Sequence, residues 1–328
     1  MSNPIETEPA KAPGNVLIMG AGSVGGYIGG CLQAAGVSVD FVGRPRVLQK
    51  LRAHGLRVTD LDGAEHHIPA TDLRLHEHVP AGLEPGLVLL CVKSPATAEA
   101  ARELAEQLPF NTLVVSMQNG MRNAQVAKTA APGLRCMPGM VPYNVAELSP
   151  GHFHRGTTGH LAVQGGTELA AWQPVFAAAG IPLDVHADLS SVQWGKLLLN
   201  LNNPVNALSG LPLLAELLDA GHRRQFAALV QEALGVLEAA GIQPARLTPM
   251  PWWLFVKVLR LPTPLFRRIA ARMLRIDPKA RSSMADDLAL GRVTEIDALC
   301  GEVVRLAASR GLHAPLNETM VARIRALH

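Results

Sequence analysis

The sequence is poor in cysteine, and its four cysteines are far apart. Cys31, Cys91, Cys136 and Cys300 form no C-x-x-C pair. Structural zinc sites and disulfide frameworks both need cysteines at close, repeated spacings. We therefore expect a protein without a metal site, in a reducing compartment such as the cytoplasm.

Long hydrophobic runs and an excess of one charge are also missing. No apolar stretch approaches the ~18 residues that a membrane span needs. Residues 1–14 mix charges with prolines, which predicts a loose tail and not a signal peptide. The net charge is only +3, from 30 basic and 27 acidic side chains, so the broad basic field of a nucleic-acid binder is absent. We expect a soluble protein with no nucleic-acid partner, and membrane association is not expected.

Aromatic and charged residues are sparse, at 4% and 17%, whereas apolar residues make up 48% of the 328 positions. This composition supports a large core and is not that of a disordered chain. The length exceeds the roughly 100 to 200 residues that one domain commonly has. We therefore expect two domains.

Short apolar runs alternate with helical segments through the first half. Continuous apolar runs are typical of strands buried on both faces of a parallel sheet. Strands are predicted at 15–20, 37–42, 87–92 and 112–117, helices at 24–35 and 95–108, and hairpins within 56–68 and 151–166. After Asp188 the pattern is helical almost to the end. The predicted domains are 15–187 and 188–328.

A basic segment at 251–281 stands out in the second half. It contains eight lysines and arginines around Trp252 and Trp253. Such a segment favours a helical insertion with a solvated basic face, and the alternative is docking on a membrane surface. Pro262 and Pro264 exclude one long helix.

A glycine-rich turn joins the first predicted strand to the first helix. Gly20, Gly22 and Gly25 fit G-x-G-x-x-G, and Ser23 and Val24 lie where the helix would begin. In this strand-turn-helix context the motif indicates a dinucleotide pyrophosphate at a helix N-terminus. The predicted fold is α/β, with an N-terminal Rossmann doubly wound sheet followed by an all-α C-terminal domain.

The end of the second strand indicates which dinucleotide binds. An acidic side chain there would favour NAD, whereas an arginine would contact the 2′-phosphate of NADP. Gly43 and Arg44 occupy this place, and the nearby acid, Asp40, lies inside the strand. We predict NADP, with Arg44 as a phosphate ligand.

Polar residues interrupt an apolar helix predicted over 188–210. At about 100° per residue, Lys196, Asn200 and Asn203 share one face. They either satisfy buried backbone and a kink at Pro204, or they form a reaction site. Hydride delivery to a ketone builds negative charge on oxygen, and a desolvated lysine is a suitable proton donor. The three-residue face favours the catalytic interpretation.

Six motifs together resemble the ketopantoate reductase (2-dehydropantoate 2-reductase) family over most of the chain. They are the glycine turn, Val92-Lys93, Gln118-Asn119-Gly120-Met121, Trp194-x-Lys196, Ser282-Ser283-Met284 and Thr294-Glu295-Ile296-Asp297. The resemblance implies an NADPH-dependent reduction of ketopantoate to (R)-pantoate, in pantothenate and coenzyme A synthesis.

The resemblance also implies a role for each matching residue. Lys196 would protonate the C2 oxygen, and Glu295 would bind and orient substrate. Asn200 would bind the substrate hydroxyl and Ser283 the carboxylate. Asn119 would lie near nicotinamide and substrate, and Lys93 beside the cofactor ribose.

Local structural roles compete with three of these assignments. Ser283 would also suit a helix cap, Glu295 a first-turn acid, and Asn119-Gly120 a plain turn. Asn203 departs from the family pattern, because it precedes Pro204 one residue earlier than the family's second asparagine. Its role as a substrate ligand therefore stays open.

Two other functions remain. One is the reduction of a different small 2-keto acid, or a β-hydroxyacid dehydrogenase activity. The other is a redox sensor that binds NADP without catalysis. A homodimer is compatible with the helical second domain.

Overall fold

The computed structural model describes residues 12–271, 274 and 280–327. It divides into two units, Met1–Gln118 with Arg122–Leu189, and Asn119–Met121 with Ser190–His328. The first unit extends two residues past the expected boundary at 187, and three residues around Gly120 belong to the second unit. Most of the N-terminal tail, 1–11, lies outside the described residues.

The first unit contains strands and helices in alternation. Its strands are β1 Val16–Met19, β2 Val39–Val42, β3 Leu56–Asp60, β4 Glu65–Ile68, β5 Arg74–His76, β6 Leu87–Leu90, β7 Leu113–Ser116, β8 Arg135–Met140, β9 Val145–Ser149, β10 His152–Arg155, β11 Leu161–Gln164 and β12 Leu183–His186. Its helices are α1 Ser23–Ala34, α2 Pro45–His54, α3 Thr97–Gln107, α4 Asn123–Ala130, α5 Thr167–Ala170 and α6 Gln173–Ala178.

Eight strands form the main sheet in the order β12-β11-β8-β7-β6-β1-β2-β5. The pairs of β1 with β2 and with β6 are parallel, as are β6 with β7 and β7 with β8. Alternate residues of β1 enter separate apolar clusters, Val16 and Ile18 on one side and Leu17 and Met19 on the other. Both faces are therefore covered, which explains the continuous apolar runs. The predicted doubly wound sheet is confirmed, and its strand order reverses beside β1, where such folds bind dinucleotides.

A second sheet of four strands has the order β4-β3-β10-β9. The predicted hairpin around Asp62-Gly63 is confirmed as β3 and β4. The hairpin predicted over 151–166 is wrong, because β10 pairs with β3 and β9 whereas β11 joins the main sheet. Buried Arg155 at the end of β10 donates to Asp60 at 2.7 Å and to Asp62 at 3.0 Å. These charged partners favour pairing with β3, a contact distant in sequence.

The described part of the second unit is helical, as predicted. Its helices are α7 Ser190–Asn200, α8 Asn202–Ser209, α9 Leu213–Leu218, α10 Ala220–Ala239, α11 Trp252–Leu259, α12 Thr263–Ile269, α13 Ser283–Ala289, α14 Cys300–Ser309 and α15 Pro315–Arg325. None of the described helices is long and apolar enough to cross a membrane.

The single helix predicted over 188–210 is wrong in one respect. It breaks at Leu201 into α7 and α8. Pro204 has no N–H to donate to the carbonyl of Asn200, four residues earlier, and its ring crowds that carbonyl. The face shared by Lys196 and Asn200 therefore does not extend by simple helical periodicity to Asn203.

The described residues of the basic segment form α11 and α12. Lys257, Arg267 and Arg268 in these helices, Arg260 directly after α11, and Arg281 are all exposed, which agrees with a solvated basic face. Trp252 is buried, whereas Trp253 is 61% exposed and lies 4.9 Å beneath the Lys257 ammonium. Arg272, Arg275 and Lys279 lie outside the described residues.

Candidate active site

The glycine turn after β1 has the geometry of a dinucleotide cradle. Gly20 has φ +113°, and a Cβ there would lie 2.7 Å from the Val92 nitrogen. A Cβ on Gly25 would lie 2.2 Å from the Gly20 carbonyl oxygen. Gly22 is exposed and faces open space, where a side chain would instead obstruct a ligand. Gly20 and Gly25 are therefore required for packing, and Gly22 keeps the approach to the turn open.

Ser23 and Val24 begin α1, directly after the exposed Gly22. The Gly22 carbonyl accepts from the Gly26 N–H at 2.6 Å, so the helix starts at this turn. The first N–H groups of a helix have no intrahelical acceptor and carry partial positive charge. This end of α1 suits a pyrophosphate.

Asp40 is occupied by neighbours on β5. Its Oδ1 accepts from Arg74 Nε at 3.0 Å and lies 2.9 Å from His76 Nε2, and the residue is 5% exposed. It is therefore committed inside the sheet and does not offer a carboxylate to a ribose. Arg44 caps α2 just beyond β2 and is exposed, which suits contact with a 2′-phosphate.

A buried polar network secures the loop after β6. Gln118 donates to the Val92 carbonyl at 2.8 Å and to Thr97 Oγ1 at 2.7 Å, and it accepts from Ser116. Thr97 in turn donates to Asn123 Oδ1 at 3.0 Å. Sequence reasoning identified Gln118 only as part of a motif and missed its contacts.

Lys93 follows this anchored Val92 carbonyl and is exposed. It precedes the 3-10 turn Ser94–Ala96, at the same edge of the sheet as the glycine turn, because β1 and β6 are parallel neighbours. Its position is that expected for a residue beside a bound dinucleotide.

Asn119 and Gly120 pack in the second unit, close to the 3-10 turn Ile296–Ala298. Gly120 has φ +90°, and a Cβ there would lie 2.9 Å from the Ala298 Cβ and carbonyl oxygen. Only glycine suits both the conformation and the close approach. The tight turn thus holds Asn119 against the residue that begins the neighbouring turn, Glu295.

Hydrogen bonds join three of the predicted residues. Asn119 Nδ2 donates to Glu295 Oε2 at 3.0 Å, and Asn119 Oδ1 accepts from Asn200 Nδ2 at 3.3 Å. All three belong to the second unit, and Asn200 and Glu295 are 7% and 8% exposed. The result is a connected row of polar groups, which a plain turn at Asn119 would not require.

Lys196 lies one turn before Asn200 on α7, on the same face. Its side chain is partly buried, and burial lowers the pKa of the ammonium to about 8. At neutral pH the group is therefore protonated but close to releasing its proton. This is the state that a general acid needs.

The two serines before Met284 have different roles. Ser282 is the cap of α13, since its Oγ accepts from the Ala285 N–H at 3.2 Å. Ser283 is the next residue and is exposed. The capping role that competed with substrate binding thus belongs to Ser282.

Asn203 contributes its backbone, since its carbonyl accepts from Ser282 Oγ at 3.2 Å. Its neighbour Asn202 donates to Glu216 Oε2 at 3.0 Å, inside the protein. Sequence reasoning missed Glu216, whose pKa is raised to about 7 by burial. A polar residue in the apolar run LLAELL was the available signal, although it is also typical of a surface helix.

Among the described residues, no group of His, Cys, Asp and Glu could hold a metal ion.

Comparisons with known proteins give a consistent result. The family model "Ketopantoate reductase PanE/ApbA" matches residues 16–168, and the model of its C-terminal part matches residues 188–328. A 2-dehydropantoate 2-reductase of Halobacterium salinarum is 29% identical over 317 residues, covering 94% of this chain and 97% of that protein.

Solved structures share this fold. The crystal structure of a PanE/ApbA family ketopantoate reductase from Ralstonia eutropha JMP134 is 30% identical, with a TM-score of 0.79, and the match covers 95% of this chain and 98% of that one. A D-mandelate dehydrogenase solved with NADH and anilino(oxo)acetate has a TM-score of 0.75 at 18% identity, covering 95% and 97% of the two chains. The latter shows a shared fold.

Proposed function

Since the chain belongs to the ketopantoate reductase family, we propose that it reduces 2-dehydropantoate (ketopantoate) to (R)-pantoate with NADPH. The observation that carries the proposal is the bonded row Asn200–Asn119–Glu295 beside the partly buried Lys196. Ketopantoate carries a ketone, a hydroxyl and a carboxylate. Its reduction therefore needs a proton donor for the ketone oxygen and polar side chains that bind the other two groups.

Lys196 donates the proton. Negative charge develops on the C2 oxygen during reduction, and an ammonium with a pKa of about 8 gives up its proton readily while attracting that oxygen. The burial that removes Lys196 from water lowers its pKa, and the same loss of water strengthens its attraction for the developing charge. The carboxamides of Asn119 and Asn200 carry no dissociable proton at neutral pH.

Asn200 and Glu295 orient the substrate, and Asn119 orients both. The Asn119 carboxamide donates on one side and accepts on the other, so its rotamer is fixed by Glu295 and Asn200. In this arrangement Asn200 binds the substrate hydroxyl and Glu295 a second polar group. Ser283, exposed beyond the Ser282 cap, binds the carboxylate.

Apart from Asn119, which would lie near the nicotinamide, the proposed cofactor contacts belong to the first unit. NADPH, when bound, supplies the hydride. Gly20, Gly22 and Gly25 form the cradle, the start of α1 at Ser23 and Val24 binds the pyrophosphate, and Arg44 binds the 2′-phosphate. Lys93 contacts the ribose.

Initial rates of NADPH and NADH oxidation with ketopantoate test the proposal. Fast turnover that prefers NADPH is expected. Absence of turnover together with tight NADPH binding would contradict the substrate, and a panel of other 2-keto acids then separates a related reductase from a redox sensor. Turnover of any 2-keto acid in the panel would identify a related reductase. Tight NADPH binding without turnover of any of them would favour a redox sensor.

A further inference from the structure

Asn206 is a completely buried asparagine on α8 that lies outside the motifs of the reaction site. Its exposed fraction is 0%. Its Oδ1 accepts from the backbone N–H of Ser282 at 2.9 Å, and its Nδ2 donates to the Leu211 carbonyl at 3.0 Å. One carboxamide thus joins three segments, namely α8, the turn that follows it, and the start of α13.

Ser282 is held on α8 at a second point. Its Oγ donates to the Asn203 carbonyl at 3.2 Å while it accepts from Ala285. Ser282 is 3% exposed, so its backbone N–H has no access to water if the Asn206 bond is lost. Both bonds fix the residue that immediately precedes Ser283.

We propose that Asn206 is the positioning residue for the substrate carboxylate, because it sets where Ser283 lies relative to the α7–α8 pair that carries Lys196 and Asn200. The inference rests on the proposed function, in which Ser283 binds the carboxylate. Asn206 does not touch substrate, and it acts through the backbone of Ser282.

The chemistry of the side chain supports this assignment. The site needs one acceptor for the Ser282 N–H and donors for the Leu211 carbonyl and the Glu216 carboxyl, and a carboxamide of this length provides them. Leucine has the same branched shape with neither group. Aspartate keeps the acceptor and loses the donors, so it separates the bond to α13 from the contacts with the turn and with Glu216.

The test compares Asn206→Leu with Ser209→Ala. Ser209 Oγ donates to the Asn206 carbonyl at 2.8 Å and accepts from the Leu211 N–H at 3.1 Å, so its loss removes two bonds from the same turn without affecting Ser282. We expect Asn206→Leu to raise the KM for ketopantoate about tenfold or more, with kcat and the KM for NADPH near wild type. We expect Ser209→Ala to keep the wild-type KM.

Asn206→Asp provides a further variant that keeps the bond to Ser282, and its rise in KM should be smaller than that of Asn206→Leu. An unchanged KM in Asn206→Leu would overturn the proposal. So would an equal rise in Ser209→Ala, because the effect would then belong to the turn. If Asn206→Leu does not fold, Asn206→Ala takes its place beside Ser209→Ala, because it also removes the acceptor of the Ser282 N–H. A larger KM for Asn206→Ala would support the proposal, whereas equal values would oppose it.

Amide hydrogen exchange of the protein without substrate separates this inference from the proposed function. We expect faster exchange at Ser282 and Ser283 in Asn206→Leu than in Ser209→Ala. This result would support the positioning role even if the wild-type protein does not reduce ketopantoate. Wild-type protection at both residues would refute it whatever the substrate is.

Discussion

Asn119 and Glu295 lie 176 positions apart in the sequence, yet Asn119 Nδ2 donates to Glu295 Oε2 at 3.0 Å. The bond gives the Glu295 carboxylate a fixed direction, and the second bond from Asn200 fixes Asn119 itself. In the proposed reaction site, the direction of the Glu295 carboxylate therefore depends on a donor at one atom of Asn119. Exchanging that donor for an acceptor is a sharp test.

Asn119→Asp should lower kcat/KM by about 10- to 100-fold, since it replaces a bond to a carboxylate with two acceptors facing each other. Steady-state kinetics with ketopantoate measures this loss. Wild-type kinetics would mean that the bond has no part in the reaction.

The double variant Asn119→Asp with Glu295→Gln is the matched control. The introduced glutamine can donate to the introduced aspartate, which restores the bond in the opposite direction, and the aspartate still accepts from Asn200. If Glu295 acts mainly by orientation, the double variant should recover part of the loss, as a coupling of the two sites. Additive losses would instead show that the carboxylate of Glu295 itself is needed.

Much of this row could be predicted from the sequence, because Asn119 and Glu295 belong to motifs and Asn200 lies on the polar face of the predicted helix. The motifs do not show that Asn119 connects the other two. That bond depends on Gly120, whose positive φ and contact with Ala298 bring the turn into the second unit. A sequence shows that glycine is present, but the neighbour that requires it is visible only in three dimensions.

The pH dependence of reduction should follow Lys196. In the proposed reaction the ammonium is the acid, so kcat/KM for ketopantoate should be constant below a pH of about 8 and fall about tenfold per unit above it. Oxidation of pantoate needs the neutral amine and should show the opposite trend. A pH profile in both directions measures this.

Lys196→Ala should lower the rate by about 10² to 10⁴ and abolish that limb of the profile. Lys257→Ala removes an exposed ammonium from the same unit and should have the wild-type profile. A Lys196→Ala enzyme that still loses activity above a pH of about 8 would assign the proton to another group.

Arg44 should determine the preference for NADPH. Arg44→Ala should raise the KM for NADPH about 10- to 100-fold, the value of a charge-assisted bond to phosphate, and leave the KM for NADH unchanged. Arg52→Ala, in the last turn of the same helix, is the control for surface charge. Equal effects of Arg44→Ala on the two cofactors would place the 2′-phosphate elsewhere.

Residues outside motifs were harder to predict. Asn206 and Glu216 look like ordinary helix residues, because periodicity does not distinguish a buried polar group from a surface one when the helix is apolar on most sides. Their burial depends on α10 and α13, which pack on α8 from distant parts of the chain. The break at Leu201 is different, because its cause can be read from the sequence. Pro204 lies four residues after Asn200 and has no N–H to donate to the Asn200 carbonyl.

The buried Glu216 should make the stability of the protein fall with rising pH. Burial raises its pKa from 4.5 to about 7, so the folded protein binds a proton that the unfolded chain releases. The free energy of unfolding should decrease between pH 4.5 and about 7 by about 3 kcal/mol from this group. Thermal unfolding at about pH 5 and about pH 8 measures the decrease as a lower Tm at the higher pH.

Glu216→Gln should reduce this difference, because an amide keeps the shape of the protonated carboxyl and does not ionise. The oxygen of the introduced amide can still accept from Asn202 Nδ2. The variant should therefore be more stable than wild type at the higher pH and similar at the lower one. Glu238→Gln removes an exposed carboxyl from the neighbouring α10 and should leave the pH dependence unchanged. If Glu216→Gln and wild type lose the same Tm between the two pH values, the titrating group lies elsewhere in the fold.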